Sequence, residues 1–118
     1  MFSTDRPIYR QIRDLIVDRI INSGDGALLP SVRALAVEAG VNPLTVAKAY
    51  HDLQASGLVT AKKGVGLFSS DGAARVLLAT ERQLFLTEEW PRVQARIDRL
   101  GLTASDLFER VYQTLSRK

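Results

Sequence analysis

The sequence predicts a mainly α fold with one small β-hairpin, in the order of a winged helix-turn-helix, followed by a short helical segment. Three observations carry that expectation. Two apolar stripes, Val32-Leu35-Ala36-Ala39 and Val46-Ala49-Tyr50-Leu53, each repeat at i, i+3, i+4, i+7. Gly40 lies between them in a turn of about four residues, the joint such a motif needs. Two short strand-like runs then flank a basic, glycine-rich tip, Lys62-Lys63-Gly64-Val65-Gly66.

In chain order, Pro7 can open the first helix, because its missing N–H would be unpaired there anyway. Ile8, Ile12, Leu15, Ile16 and Ile20 form that helix's stripe, and Asn22-Ser23-Gly24-Asp25-Gly26 stops it. Leu28-Leu29 reads as a short extended piece. Ser31 is the expected N-cap of the second helix, which Gly40 ends in a left-handed conformation. Asn42 caps the third, with Pro43 at its first position, and Gly57 closes it. Leu58-Val59-Thr60-Ala61 and Leu67-Phe68-Ser69 are the strands, and Ser69-Ser70-Asp71-Gly72 reads as a boundary. Beyond it a helix is expected from about Ala73 to Leu86, with Val76, Leu77 and Leu84 inward. Thr87 should cap another from Glu88 to Leu100, with Trp90, Val93, Ile97 and Leu100 as its stripe and Gly101 as its stop. Thr103 with Asp106 resembles a capping box for a last helix. The organisation is thus residues 1–70 as a winged helix-turn-helix and 71–118 as a helical dimerisation segment.

Composition narrows the function. The 118 residues suffice for one small domain and an appendage. A net charge of +3 is far from a polycation, and the charge is evenly split, 8 Lys+Arg against 6 Asp+Glu in residues 1–70 and 8 against 7 beyond. Local placement of charge must therefore decide what binds. There is no cysteine, hence no disulfide framework or thiolate metal site. No apolar run reaches signal-peptide or membrane-spanning length, so a cytoplasmic protein without membrane contact is expected. His51 is the lone histidine, with no second one at ligand spacing and no nucleophile constellation around it. Gly64-Val65-Gly66 lacks the trailing Lys-Ser/Thr of a phosphate loop. The expectation is a non-enzyme with no cofactor and no metal.

The small Ala36 and the turn glycine Gly40 satisfy the sterics of two crossing helices, and Val46 and Ala49 return apolar groups to the first. The segments PIYRQIRDLIVDRII, LPSVRALAVEAGVNPLTVAKAYHDLQASGLV and KKGVGLF resemble the N-terminal domain of GntR-type bacterial transcription regulators, over roughly Arg6 to Ser69. The LPSVR and VNPLTVAKAY wording is most similar to the YtrA subfamily, which carries a short helical dimerisation segment after the winged domain. The stretch from Gly72 to Lys118 fits that, and is too short for an aminotransferase-like partner domain. Three departures limit what carries over. The loop from Asp25 to Leu28 is short, Ala47 stands where many relatives have Arg, and the wing reads Gly64-Val65-Gly66-Leu67 rather than Gly-Lys-Gly-Thr. Base contacts of Arg-bearing relatives do not transfer to Ala47 or Val65.

In helix-turn-helix proteins the start of the second helix reaches base edges. Here those residues are Asn42, Pro43, Leu44, Thr45 and Lys48. Asn42 can cap the helix or bond a base or phosphate. Thr45 can bond a phosphate or meet a thymine methyl, as can the otherwise unexplained Leu44, or Leu44 is an ordinary surface residue. Lys48 reaches DNA or is simply solvated. Ser31 can cap and bond a phosphate. Arg33 matches the arginine of the family's LPSxR motif, which implies a DNA contact; the alternative is a salt bridge to Glu38 or Asp52. Lys62 and Lys63, with Gly64 and Gly66, suit a wing lying on the minor groove or backbone, against the alternative of a solvated turn. Tyr9 and Arg10 offer a weaker phosphate contact.

Phe85, Trp90, Ile97, Leu107, Phe108, Val111, Tyr112 and Leu115 are more apolar surface than the last segment can bury alone. They pack on the winged domain or, as favoured here, on a second copy about a two-fold axis. Arg92, Arg96 and Arg99 are a solvated face or a second DNA contact. The expected function is a homodimeric regulator, a repressor by resemblance, on an inverted-repeat operator in double-stranded DNA. A groove at the dimer interface leaves room for an unidentified small-molecule effector. The alternative is a winged-helix protein-interaction module that binds no DNA.

Overall fold

The computed structural model describes residues 6–116; residues 1–5 and 117–118 of the two expected segments lie outside it. The chain divides into two compact units, up to Ala79 and from Thr80.

The first unit is built on three helices. The α1 helix, Ile8–Ser23, follows Pro7, which stands just before the first turn rather than in it. Its buried face is Ile12, Ile16, Val17 and Ile20, whereas Ile8 and Leu15 are exposed. At about 100° per residue the face is centred between Ile16 and Ile20, and Ile8 and Leu15 fall beyond its edge. The α2 helix, Val32–Ala39, begins at Ser31, whose hydroxyl accepts from the Ala34 N–H at 3.0 Å. It ends at Gly40, at φ 68°, where the Val41 N–H reaches back to the Ala36 carbonyl at 3.0 Å. A side chain at that left-handed φ costs about 1 kcal/mol, which is why glycine makes the turn. The α3 helix, Pro43–Ala55, sends Val46, Ala49, Tyr50 and Leu53 into one core with α1, Leu35 and Ala36 of α2, Leu29 and Val59. Burying each large aliphatic side chain contributes roughly 1.5–3 kcal/mol.

The wing is an antiparallel pair, β1 Val59–Lys62 and β2 Gly66–Ser69, in register Val59↔Ser69 through Lys62↔Gly66. Lys62 is therefore a strand residue, not part of the tip. The expected extended piece lies along β2: Leu28 bridges Phe68, and the Leu29 N–H donates to the Leu67 carbonyl at 2.8 Å. Gly66 stands at φ 147°, which favours glycine, and a Cβ there would also meet the movable end of the exposed Leu28 side chain, Cδ1, at 3.0 Å. Ser69, the one buried polar side chain among the described residues, ties the base of the wing to the end of α1. Its hydroxyl donates to the Gly24 carbonyl at 2.6 Å and accepts from the Ala27 N–H at 3.0 Å.

The α4 helix, Ala73–Leu84, adds Ala73 and Leu77 to the first core, so the compact unit runs past the joint expected at Ser69–Gly72. Leu77 is buried as expected, whereas Val76 and Leu84, also expected inward, are exposed; Ala73, four residues before Leu77, completes the inward line. Asp25, in the loop after α1, accepts from the Gly72 and Ala74 N–H groups at 2.7 and 3.1 Å and so caps α4 from a distant part of the chain.

Thr87 does not begin a new helix. A π-helical turn, Phe85–Glu89, carries α4 directly into α5, Trp90–Leu100. The Trp90 N–H bonds the Phe85 carbonyl, while the Thr87 hydroxyl donates back to the Gln83 carbonyl at 2.9 Å. Pro91 explains the widening: it has no N–H for the Thr87 carbonyl, and its ring would clash there in a regular turn. The wide turn places the rings of Phe85 and Trp90 6.4 Å apart. Gly101 closes α5, and α6, Ala104–Ser116, opens on the expected capping box. There the Asp106 carboxylate accepts from the Thr103 N–H at 2.9 Å, and the Asp106 N–H donates to the Thr103 hydroxyl at 3.2 Å.

Candidate nucleic-acid interface

The helix-turn-helix presents the start of α3. Asn42 Oδ1 accepts from the Leu44 N–H at 2.9 Å, and the Asn42 carbonyl accepts from Thr45 N–H at 3.0 Å. Capping thus uses the amide oxygen of Asn42 and leaves its two Nδ2 hydrogens as donors. Pro43 has no N–H to satisfy. Leu44 is 76% exposed, Thr45 is half-buried and Lys48 is exposed. The core takes Val46, Ala49 and Tyr50, so this polar and apolar mixture is what remains on the outer face.

Arg33 is exposed in the first turn of α2, beside the capping Ser31. Both carboxylates that might have paired with it are engaged elsewhere. Glu38 meets Arg19 at 2.5 Å, and Asp52 accepts from the Tyr9 hydroxyl. His51 is exposed, its Nδ1 3.9 Å from Asp52.

Two of the candidate lysines rest on aromatic rings. Lys48 Nζ lies 4.6 Å from the centre of the Tyr9 ring, and Lys62 Nζ 4.5 Å from that of Phe68. Such contacts favour one rotamer of an otherwise floppy cation, at about 0.5–1 kcal/mol each on a surface. Lys63, Gly64 and Val65 form the exposed tip, closed by the Val65 N–H on the Lys62 carbonyl at 2.9 Å. Sequence reading gave Tyr9 only a weak phosphate contact and missed its hold on Lys48 and Asp52. No periodicity signals a contact between residues that distant in the chain. The hydrogen bond to Asp52, more than burial, raises the Tyr9 phenol above its ordinary value, so the hydroxyl keeps its proton.

In the second unit, Phe85, Trp90, Phe108, Val111, Tyr112 and Leu115 are exposed, and Ile97 and Leu107 are half-buried. Among the described residues no group of three His, Asp or Glu is placed to hold a metal ion, and no helix is long and apolar enough to cross a membrane.

Comparison with known proteins agrees with this geometry. The model of bacterial regulatory proteins of the gntR family matches residues 4–68. The uncharacterised HTH-type transcriptional regulator YhcF of Bacillus subtilis is 32% identical over 111 residues, covering 92% of this chain and 89% of that protein. The HTH-type transcriptional repressor YtrA of the same organism is 40% identical over 76 residues, 61% of this chain and 57% of that one. A solved structure of a putative GntR-family regulator from Bacteroides thetaiotaomicron superposes with a TM-score of 0.66 at 30% identity, over 94% of this chain and 98% of that one.

Proposed function

Because the chain belongs to the GntR family, on its YtrA-like branch, and is a DNA-binding transcription regulator rather than an enzyme, we propose that it binds an inverted-repeat operator as a homodimer and represses transcription from it. The observation that carries the reading is the outer face of the helix-turn-helix. Arg33, the Asn42 amide hydrogens, Leu44, Thr45 and Lys48 stand exposed or half-exposed at the two helix starts, with no metal or catalytic cluster among them. The start of α3 would enter the major groove, Leu44 and Thr45 meeting base edges. Arg33, Lys62 and Lys63 would hold phosphates, with Gly64 and Gly66 letting the wing backbone come close.

The dimer half of the proposal rests on apolar chemistry. A face bearing Phe108, Val111, Tyr112 and Leu115 is exposed in one copy, and a two-fold axis lets such a face cover itself. Two copies would present two recognition helices to half-sites about one helical turn apart. Repression is inferred from likeness to YtrA, a repressor by name. An effector, if the dimer has one, would act from the second unit, and a DNA target sets the work in the cytoplasm.

Selection of bound sequences from a random duplex pool tests the whole reading. Enrichment of a two-fold symmetric sequence, with affinity falling as salt rises, is the expected result. A pool that stays unselected, with no salt-sensitive retention, would leave the interaction-module reading in its place.

A further inference from the structure

Lys48 and Asp52 lie one turn apart on α3, the i, i+4 spacing at which a lysine and a carboxylate pair along a helix. Among the described residues they do not pair. Tyr9, from α1, engages both. Its hydroxyl donates to Asp52 Oδ2, and the face of its ring lies 4.6 Å from Lys48 Nζ. One side chain thus takes one oxygen of the carboxylate, whose other oxygen lies 3.9 Å from His51 Nδ1, and offers the ammonium a neutral seat.

We propose that Tyr9 is a positioning residue for the DNA contact: it keeps Asp52 from drawing Lys48 into a pair along α3, and so leaves the Lys48 charge available to a phosphate. The proposal rests on the DNA-binding reading above and names a residue that need not touch DNA to act. Without Tyr9, Lys48 would have to leave Asp52 before meeting a phosphate, and the carboxylate would keep only the exposed His51 ring, its Nδ1 3.9 Å from Oδ1. The α1 helix would then do more than support the core, because its first turn sets where the charges on the recognition helix's outer face are held.

The test uses the full chain and a duplex selected from a random pool. Tyr9→Leu should lower affinity by about threefold, the scale of one exposed cation–π contact or ion pair, and should shallow the salt slope as Lys48→Ala does. The loss should vanish in a Lys48→Ala background and shrink by at least about half in an Asp52→Asn background. A Tyr9 that only packs α1 on α3 would give the same loss in all three backgrounds, and that result overturns the proposal. If Tyr9→Leu does not fold, Tyr9→Phe carries the test. It keeps the ring and frees the carboxylate, and it should lose affinity by a smaller factor that Asp52→Asn restores. A Tyr9→Phe chain with unchanged affinity and salt slope overturns the proposal as well. If the wild-type chain itself binds no duplex, the DNA-binding reading falls first; a wild type that binds, with backgrounds that fail to differ, removes only the role of Tyr9.

Discussion

Tyr50 shows what a single polar atom requires of a core. Its ring is buried, and its hydroxyl donates to the Pro30 carbonyl at 2.6 Å, fixing the approach to α2. Tyr50→Phe keeps the volume and leaves that carbonyl unpaired, so it should cost about 1 kcal/mol in urea unfolding. Burial, partly offset by Arg19, pushes the phenol from 10.0 up to about 12. Between those values the unfolded chain gives up a proton that the folded chain keeps. Stability from this group is therefore complete below pH 10.0 and is lost as pH rises toward about 12, and Tyr50→Phe should lack that part of the alkaline loss. A variant as alkali-sensitive as the wild type would refute the assignment. On the wing, Lys63→Ala should weaken binding to every duplex alike and reduce the salt slope by about one phosphate contact, read from titrations at several salt concentrations. A change in sequence preference would argue against a backbone role. Caps were legible in the sequence at this scale, Ser31 and Asn42 above all, because cap chemistry acts within three residues. Tyr9 with Asp52 and Tyr50 with Pro30 were not, because tertiary packing alone brings them together.

Among the elements, the helix-turn-helix and wing follow from local rules, and the stretch around Thr87 does not. Thr87 followed by Glu88 and Glu89 has the chemistry of a helix start, yet the preceding helix never stops. An exposed threonine that can bond back to the Gln83 carbonyl has no need to cap, and widening one turn is cheaper than breaking the helix for Pro91. Pro91→Ala restores an N–H for the Thr87 carbonyl. We expect the turn to tighten, the helical dichroism at 222 nm to rise, and the second unit to gain on the order of 1 kcal/mol. Unaltered dichroism and melting would mean that something other than the proline holds the turn open. The inward line of α4 was also misread, since the apolar residues Val76 and Leu84 outrank Ala73 in hydrophobicity while the core had room for the alanine.

For the molecule as a whole, a net charge of +3, spread evenly along the chain, supplies little steering, so binding must come from where a few cations stand. The second unit's apolar surface is the other molecular property. With Phe108 76% and Tyr112 71% exposed, replacing both with aspartate should scarcely affect the fold of one chain. If two copies bind together, the doubly substituted chain should sediment as a monomer, and its affinity for a two-half-site duplex should fall on the order of a hundredfold while single half-sites bind as before. A wild type that sediments as a monomer would sink the dimer reading. The wide turn at Phe85–Glu89 has a consequence for how such a surface tolerates change in length. It inserts one extra residue, an angular offset of about 100°, between Phe85 and the row Trp90, Val93, Ile97 and Leu100, and so brings that row into phase with Phe85. Closing the turn to regular α geometry with every residue kept would set the two apolar rows about 140° apart, whereas deleting one residue would leave an unbroken helix with the rows still in phase. The wide turn is therefore a phase setting: it absorbs one residue of chain length and keeps a single apolar row running from Phe85 into α5.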